Sequence, residues 1–447
     1  MIVSELLARL EEKNLVLSLK GDELVIRGKR ELLDGPLLKL LREHKQDLLE
    51  SLRATQQNPA QAAIPADCSA ITPEMLPLVA LSADQIRRIE SAVPGGARNI
   101  QDIYPLAPLQ EGMLFHHLMV TQGDVFLVSE VLRFDTRERL LSLVDALQAV
   151  IDRHDILRTA VLWEGLAEPV QVVWRRALIK VEEVTLEAGK DEVAQLRARF
   201  DPRHYRIDVR QAPMMRLFIA RESAGSRWLM LVSSHHLVSD RTTWELKQRE
   251  IQAHLLGKAS ELPPPVPFRT FVAQTRRKGS QEEHEAFFRG MLADVDEPTA
   301  PFGLTNVHDD GAGTADGLVE IDVSLARTLR AQARIRRVSV ATLFHLAWAL
   351  VLARISGRDD VVFGTVLLGR LQGGAGVDRA LGLFINTLPM RTRVGDQSVE
   401  QSLQEVHVLL AQLLRHENAP LALAQRCSAV IAPAPLFTTL LNYRHAA

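Results

Sequence analysis

Leu229-Met230-Leu231-Val232-Ser233-Ser234-His235-His236-Leu237-Val238-Ser239-Asp240-Arg241 is the stretch around which the 447-residue chain is organised. An apolar run of the kind a buried strand needs delivers two adjacent histidines, and an aspartate follows. Successive side chains of a strand point to opposite faces, so only one of His235 and His236 can face a given cavity. A strand ending at the pair would offer the second ring to a cleft while the first stays packed. An imidazole with its ordinary pKa of ~6.5 takes up a proton at cellular pH without a metal or cofactor. Asp240 could orient that ring, or it could pair with a remote arginine and hold the loop. Adjacent histidines do not put both rings on one ion, and no His-x-x-x-His or Cys-x-x-Cys spacing supports them, so no metal is expected.

The composition, 47% hydrophobic and 24% charged, is that of an ordinary globular protein with two to four compact units. A formal charge of −2 gives no reason to expect nucleic acid or an anionic membrane as partner. No run of about 18 apolar residues exists, and Glu5, Glu11 and Glu12 open the chain, which predicts neither a membrane span nor a secretory signal. Cys68 and Cys427 stand alone, without disulfide or metal spacing. A cytoplasmic protein is expected.

Residues 1–54 form a pattern of their own. Leucines at helical spacing over residues 3–10 precede Val16-Leu17-Ser18-Leu19 and Leu24-Val25-Ile26-Arg27, which flank the turn signal Lys20-Gly21-Asp22-Glu23. Leu32 to Leu52 then gives one or two amphipathic helices. So small a core favours a partner, and a short sheet has an edge to which an extended peptide can add. Residues 55–76, rich in Gln, Ala, Pro and Asn, have linker composition. A helix capped by Ser82 follows. Residues 77–265 and 266–447 mix strands and helices, separated by Pro263-Pro264-Pro265-Val266-Pro267. In the second part, Leu383-Phe384-Ile385-Asn386-Thr387-Leu388-Pro389 is predicted as a strand and Ala341–Arg354 as an apolar helix. His116-His117 is expected on a helix surface. The class is α+β with α/β character, with no dinucleotide glycine fingerprint and no P-loop.

Ordered motifs make residues 104–444 resemble the condensation domain of nonribosomal peptide synthetases. Pro105-Leu-Ala-Pro-Leu-Gln110-Glu-Gly-Met-Leu-Phe115 is similar to that family's opening motif, in the form often found with D-configured or acylated donors. Arg153-His-Asp-Ile-Leu-Arg158-Thr159 resembles its second motif, and His235-His236-Leu-Val-Ser-Asp240 its His-His-x-x-x-Asp core. Leu381-Gly382-Leu-Phe384-Ile-Asn386-Thr387-Leu388 resembles a later one, as does His416-Glu-Asn-Ala-Pro420-Leu421. The αββαα pattern of residues 1–54 resembles a TubC-type docking domain.

The resemblance implies two chloramphenicol-acetyltransferase-like lobes in a V, preceded by the small αββαα domain. It implies that carrier-borne thioesters meet at His236, which helps the acceptor α-amine attack the donor thioester. His235 would then be a packing residue, and Asp240 would pair with Arg370 of Gly369-Arg370, with Arg158 as further structural support. Gln110, Trp244 and Asn386 would lie along the substrate channel. No bound cofactor or metal is implied; substrates would arrive on phosphopantetheine arms or as acyl-CoA. Partners would be donor and acceptor carrier proteins and, for residues 1–54, the C-terminal docking peptide of an upstream synthetase. The sequence departs from the family pattern after Asp240, where Arg241 stands in place of glycine. Arg241 could tune substrate choice, sit turned away, or mark a domain that recruits carriers without turnover. An elongating domain, a starter domain fed by acyl-CoA, a silent recruiting domain and an epimerisation domain are the functions weighed. The chain is expected to be a piece of a longer synthetase.

Overall fold

The apolar runs around Lys20-Gly21-Asp22-Glu23 pair as an antiparallel hairpin of β1 (Val16–Lys20) and β2 (Glu23–Arg27), with Val16 opposite Arg27 and Lys20 opposite Glu23. The structure, a computed structural model, describes residues 16–20, 23–27, 41, 64–223, 225–276, 280–305, 314–370 and 376–444. The helices expected on either side of the hairpin lie outside the described residues, save Leu41, which is helical and buried. Packing divides the chain into two compact units, Met1–Ala63 and Ile64–Ala447.

The second unit opens with an ordered segment rather than with linker. Ile64, Ile71, Leu76, Val79 and Leu81 are buried in one core with Ile86 and Ile89 of α1 (Ala83–Ala92). Residues 64–76 of the expected linker are therefore part of this core, because their scattered apolar residues have a core to enter, and residues 55–63 lie outside the described residues. Ser82 and Gln85 cap α1 reciprocally, with backbone-to-side-chain bonds of 3.3 and 2.9 Å. Then come β3 (Ile100–Pro105), α2 (Pro108–Met119), β4 (Leu127–Phe134) and α3 (Arg137–Arg153). They are followed by β5 (Thr159–Leu162), β6 (Val170–Trp174), β7 (Lys180–Glu183), α4 (Glu192–Arg199), β8 (Met215–Arg221), β9 (Trp228–His235) and α5 (Arg241–Leu255).

Two sheets result, β3-β6-β5 and β4-β9-β8-β7. The second is covered on both faces, which is why its central strand reads as a continuous apolar run. Leu217, Ile219, Trp228 and Met230 join a core with Leu140, Leu147 and Ile151 of α3. Phe218, Ala220, Leu229 and Leu231 pack instead with Leu196 and Phe200.

Beyond the polyproline stretch lie α6 (Phe268–Thr275), α7 (Ser280–Leu292), α8 (Val323–Ile335), α9 (Val340–Ser356), β10 (Asp360–Leu367), β11 (Asn386–Arg393), α10 (Val399–Arg415), α11 (Leu421–Arg426) and β12 (Leu440–Leu441). Strands order as β11-β10-β12 and share a separate core with Leu346, Leu352, Phe363, Leu388, Leu403 and Leu413. The expected division after Pro265 is not where packing divides. Phe268, Phe271 and Val272 of α6, with Leu381, Leu383 and Phe384, belong to the core of β8, β9 and α3. A buried ion pair at 2.6 Å between Arg269 and Asp102 fastens α6 to β3. Burial pushes the Asp102 carboxyl up to about 6, against the pull of Arg269.

The strand predicted over Leu383–Pro389 starts only at Asn386. Backbone groups of Gly382 and Phe384 bond to Thr243 and Asp240 instead of to a neighbouring strand. No single helix among the described residues is long and apolar enough to cross a membrane.

Candidate active site

Strand β9 ends at His235, and the chain turns at once into a single 3-10 turn, His236–Val238. The turn is tied from several directions. The His236 N–H donates to the Phe126 carbonyl at 2.9 Å, the Leu237 N–H to His235 Nδ1 at 3.0 Å, and Gln110 Nε2 to the Leu237 carbonyl at 2.8 Å. His235 is wholly buried, whereas His236 is half-buried. The Nδ1 of His236 is buried and has no hydrogen-bond partner among the described residues. A buried polar atom without a partner costs about 1–3 kcal/mol, a penalty tolerated where a bound group supplies the partner. His236 is thus the ring with a nitrogen to offer.

Asp240 caps α5, accepting from the Thr243 N–H at 2.7 Å. Its carboxylate also accepts from the Phe384 N–H at 3.1 Å and lies 3.3 Å from Arg370 Nη2. Arg370 donates to the carbonyls of Val377 and Ala380 at 2.6 and 2.8 Å, and its guanidinium lies 3.9 Å from the centre of the Phe384 ring. Burial lowers the Arg370 pKa while Asp240 opposes that shift. One turn into α5, Thr243 Oγ1 donates to the Gly382 carbonyl at 2.7 Å and accepts from the Gly382 N–H at 2.9 Å. Gly382 has φ +150°, and a Cβ there would lie 2.2 Å from the Phe268 ring, so only glycine fits. Asp240 bonds to no histidine among the described residues. It ties the start of α5 to the segment that leads into β11.

On the other side of the pair, Asp124 Oδ2 lies 3.1 Å from His235 Nε2 and 2.6 Å from His117 Nδ1. His117, expected on a helix surface, is buried, and its ring meets His235 edge-on. Burial lowers the pKa of His235, against the hydrogen bond and charge of Asp124. Burial would raise Asp124, but the hydrogen bonds from His117 and His235 win and hold its carboxyl well below the ordinary range.

The three donor atoms lie within 4.8 Å of one another, close enough to raise the question of a metal. Arg206 Nη2 sits 3.1 Å from His117 Nε2. A metal-bound imidazole carries its proton on the opposite nitrogen, which here would face a guanidinium that can only donate. The donor set fits hydrogen bonds, not a cation.

Other expected site residues take scaffold positions. Gln110, expected along the channel, is fully buried and spent: it accepts from the Ala107 N–H at 2.8 Å and donates to Gln171 at 2.9 Å as well as to Leu237. Asn386, also expected there, donates to the Glu417 and Ala419 carbonyls at 2.8 and 2.7 Å and accepts from the Thr387 N–H at 2.9 Å. Its amide is fully used in holding β11 to the loop before α11. Arg158 is buried against the carbonyls of Ile151 and Trp174 and the side chain of Gln101. Arg241 is more than half exposed, pairs with Glu245 at 2.9 Å and stacks over half-buried Trp244 at 4.5 Å.

Residues 100–446 match the family described as Condensation domain. The chain is 49% identical over 378 residues to malpinin synthetase of Mortierella alpina, covering 84% of this chain and 5% of that protein. It is 31% identical over 417 residues to a linear gramicidin synthase of Brevibacillus parabrevis, covering 89% of this chain and again 5% of that protein. It thus spans about a twentieth of the length of these curated relatives. The solved cyclization-docking bidomain of EpoB from Sorangium cellulosum shares the fold, with a TM-score of 0.59 at 18% identity, covering 99% of this chain and 83% of that one. By the match over 100–446 and by these identities, the chain belongs to the condensation-domain family.

Proposed function

We propose that this chain forms an amide between an acyl or peptidyl thioester donor and the α-amine of an aminoacyl group carried on a second phosphopantetheine arm. The amine nitrogen attacks the thioester carbonyl, the new C–N bond forms as the C–S bond breaks, and the amine proton ends on the departing thiol. His236 accepts or hydrogen-bonds that proton in transit. The observation that carries this is the half-buried His236 ring, on a turn fixed through its backbone, whose nitrogens bond to no described residue. Holding two tethered reactants in attack geometry supplies much of the rate, up to about 7–11 kcal/mol in well-oriented pairs.

Donor and acceptor carrier proteins are the partners of this reading, and residues 1–54 a TubC-type docking domain for the C-terminal peptide of an upstream synthetase. In support stand the β1–β2 hairpin and a fold match with a cyclization-docking bidomain that covers 99% of this chain. A hairpin edge accepts an extended peptide as a further strand. The silent-recruiter reading rests on Arg241, whose cation is engaged by Glu245 and Trp244.

The test offers the chain, with an aminoacyl-loaded acceptor carrier, either acyl-CoA or a peptidyl-loaded donor carrier, and reads product by intact mass. Amide from the peptidyl carrier alone marks an elongating domain, and amide from acyl-CoA alone a starter domain. His236→Ala should reduce the rate by about 10²–10⁴-fold with Tm unchanged. An unimpaired variant, or no amide from either donor, overturns the proposal.

A further inference from the structure

The loop between α2 and β4 runs beneath the histidine pair, and its course is over-determined. Gly123 has φ +72°, and a Cβ on it would lie 2.2 Å from the Arg203 carbonyl oxygen, so the chain passes there only as glycine. The next N–H, of Asp124, donates to the Pro202 carbonyl at 2.6 Å. Arg206 staples the loop to the end of α2: Nη1 donates to the carbonyls of Val120 and Gly123, and Nη2 to the His117 carbonyl at 2.6 Å. The outcome is a carboxylate delivered under His235.

The hydrogen-bond partners fix the protons on both rings. A guanidinium can only donate, so His117 Nε2 accepts from Arg206 and Nδ1–H donates to Asp124. A backbone amide can only donate, so His235 Nδ1 accepts from Leu237 and Nε2–H donates to Asp124. Both imidazoles are then neutral and fully used. Asp124 Oδ2 takes two N–H bonds, and Oδ1 takes a third, from the Phe126 N–H at 3.0 Å.

Two threads run from this carboxylate to the turn that carries His236. One passes through His235 to the Leu237 N–H. The other passes through the backbone of Phe126, whose N–H donates to Asp124 and whose carbonyl accepts the His236 N–H at 2.9 Å. Resting on the reading of His236 as the reacting ring, we propose that Asp124 is its positioning residue: with His117 and Arg206 behind it, it sets the tautomer of His235 and so the placement of the His236 backbone.

Asp124→Asn tests this because the amide has a single acceptor atom. If its oxygen keeps the two histidines, its NH2 faces the Phe126 N–H. If its oxygen keeps Phe126, its NH2 faces His235, the proton moves to Nδ1, and the Leu237 bond is lost. One thread breaks in either arrangement. The expected result is a fall of tenfold or more in the rate of amide formation at saturating carriers, with KM for both carriers unchanged. A wild-type rate in the folded variant, or a fall confined to KM, overturns the proposal. Should the variant not fold, ¹⁵N NMR of histidine-labelled wild-type protein decides it: the proton belongs on Nε2 of His235 and on Nδ1 of His117, and the reverse on His235 overturns it. A wild-type chain that forms no amide defeats the proposed function instead, and the tautomers still test the network.

Discussion

Two aspartates flank the histidine pair in space, both nearly fully buried, at 5% exposure for Asp124 and 3% for Asp240. Each accepts a backbone N–H two or three residues ahead of it, as short polar side chains at turns do. There the likeness ends. Asp240, four residues from His236, bonds to no imidazole among the described residues; its partners are a helix N-terminus, the Phe384 amide and Arg370. Asp124, more than a hundred residues away in sequence, holds the ring of His235. Proximity in sequence does not decide which carboxylate meets a ring, because a strand that ends in a turn and a helix carries the next side chains away from its own end.

The largest expected effect is on the Asp240 side. Arg370→Ala leaves that carboxylate buried without its cation and should cost about 3 kcal/mol, since breaking a buried pair typically costs 3–5 kcal/mol and two N–H bonds to Asp240 remain. An unchanged Tm would mean that the N–H groups of Thr243 and Phe384 suffice. Thr243→Val comes next. It strands the N–H and the carbonyl of Gly382 and should cost about 2 kcal/mol, about 1 kcal/mol for each of the two groups left unsatisfied, read by urea denaturation. A neutral effect would show that the segment before β11 finds other partners.

The Asp124 side is tested by pH. His235 has a lowered pKa in the folded chain, so the unfolded chain binds the extra proton first. Its contribution to stability is fully present above the ordinary value of ~6.5 and is lost as pH falls below it. The drop in Tm from pH 7.5 to 5.5 should therefore be shallower in His235→Gln than in wild type, and parallel curves would contradict this. The smallest effect is expected from Arg241→Gly, which removes only an exposed pair and a surface stack: stability should change by less than about 1 kcal/mol and the amide-forming rate by less than about twofold. A tenfold change in rate would mean that the Arg241 cation acts on substrate.

Patterns of local origin are legible in the sequence. The apolar run of β9, the Ser82 cap of α1 and the hairpin signal at Lys20-Gly21-Asp22-Glu23 all follow from the periodicity, capping and turn preferences of a few neighbouring residues. The pairing of Asp240 with Arg370 is reached only through ordered motifs, since 130 residues separate the two. Gln110 and Asn386 read as channel residues because a polar side chain in a motif looks the same whether it faces substrate or backbone. Their amides turn out to be consumed by carbonyls far along the chain. His117 reads as a surface residue because the sequence places no carboxylate or cation on its helical face.

What the sequence determined by itself is therefore the run of elements, the Ser82 cap and the strand end that presents two histidines to opposite sides. What only the tertiary structure decided is which carboxylate meets which ring, and which ring keeps a free nitrogen. Helix and strand periodicity is set within a few residues. A hydrogen bond between Asp124 and His235 depends on how β4 and β9 register, on the Gly123 corner and on the Arg206 staple, none of which has a local signature.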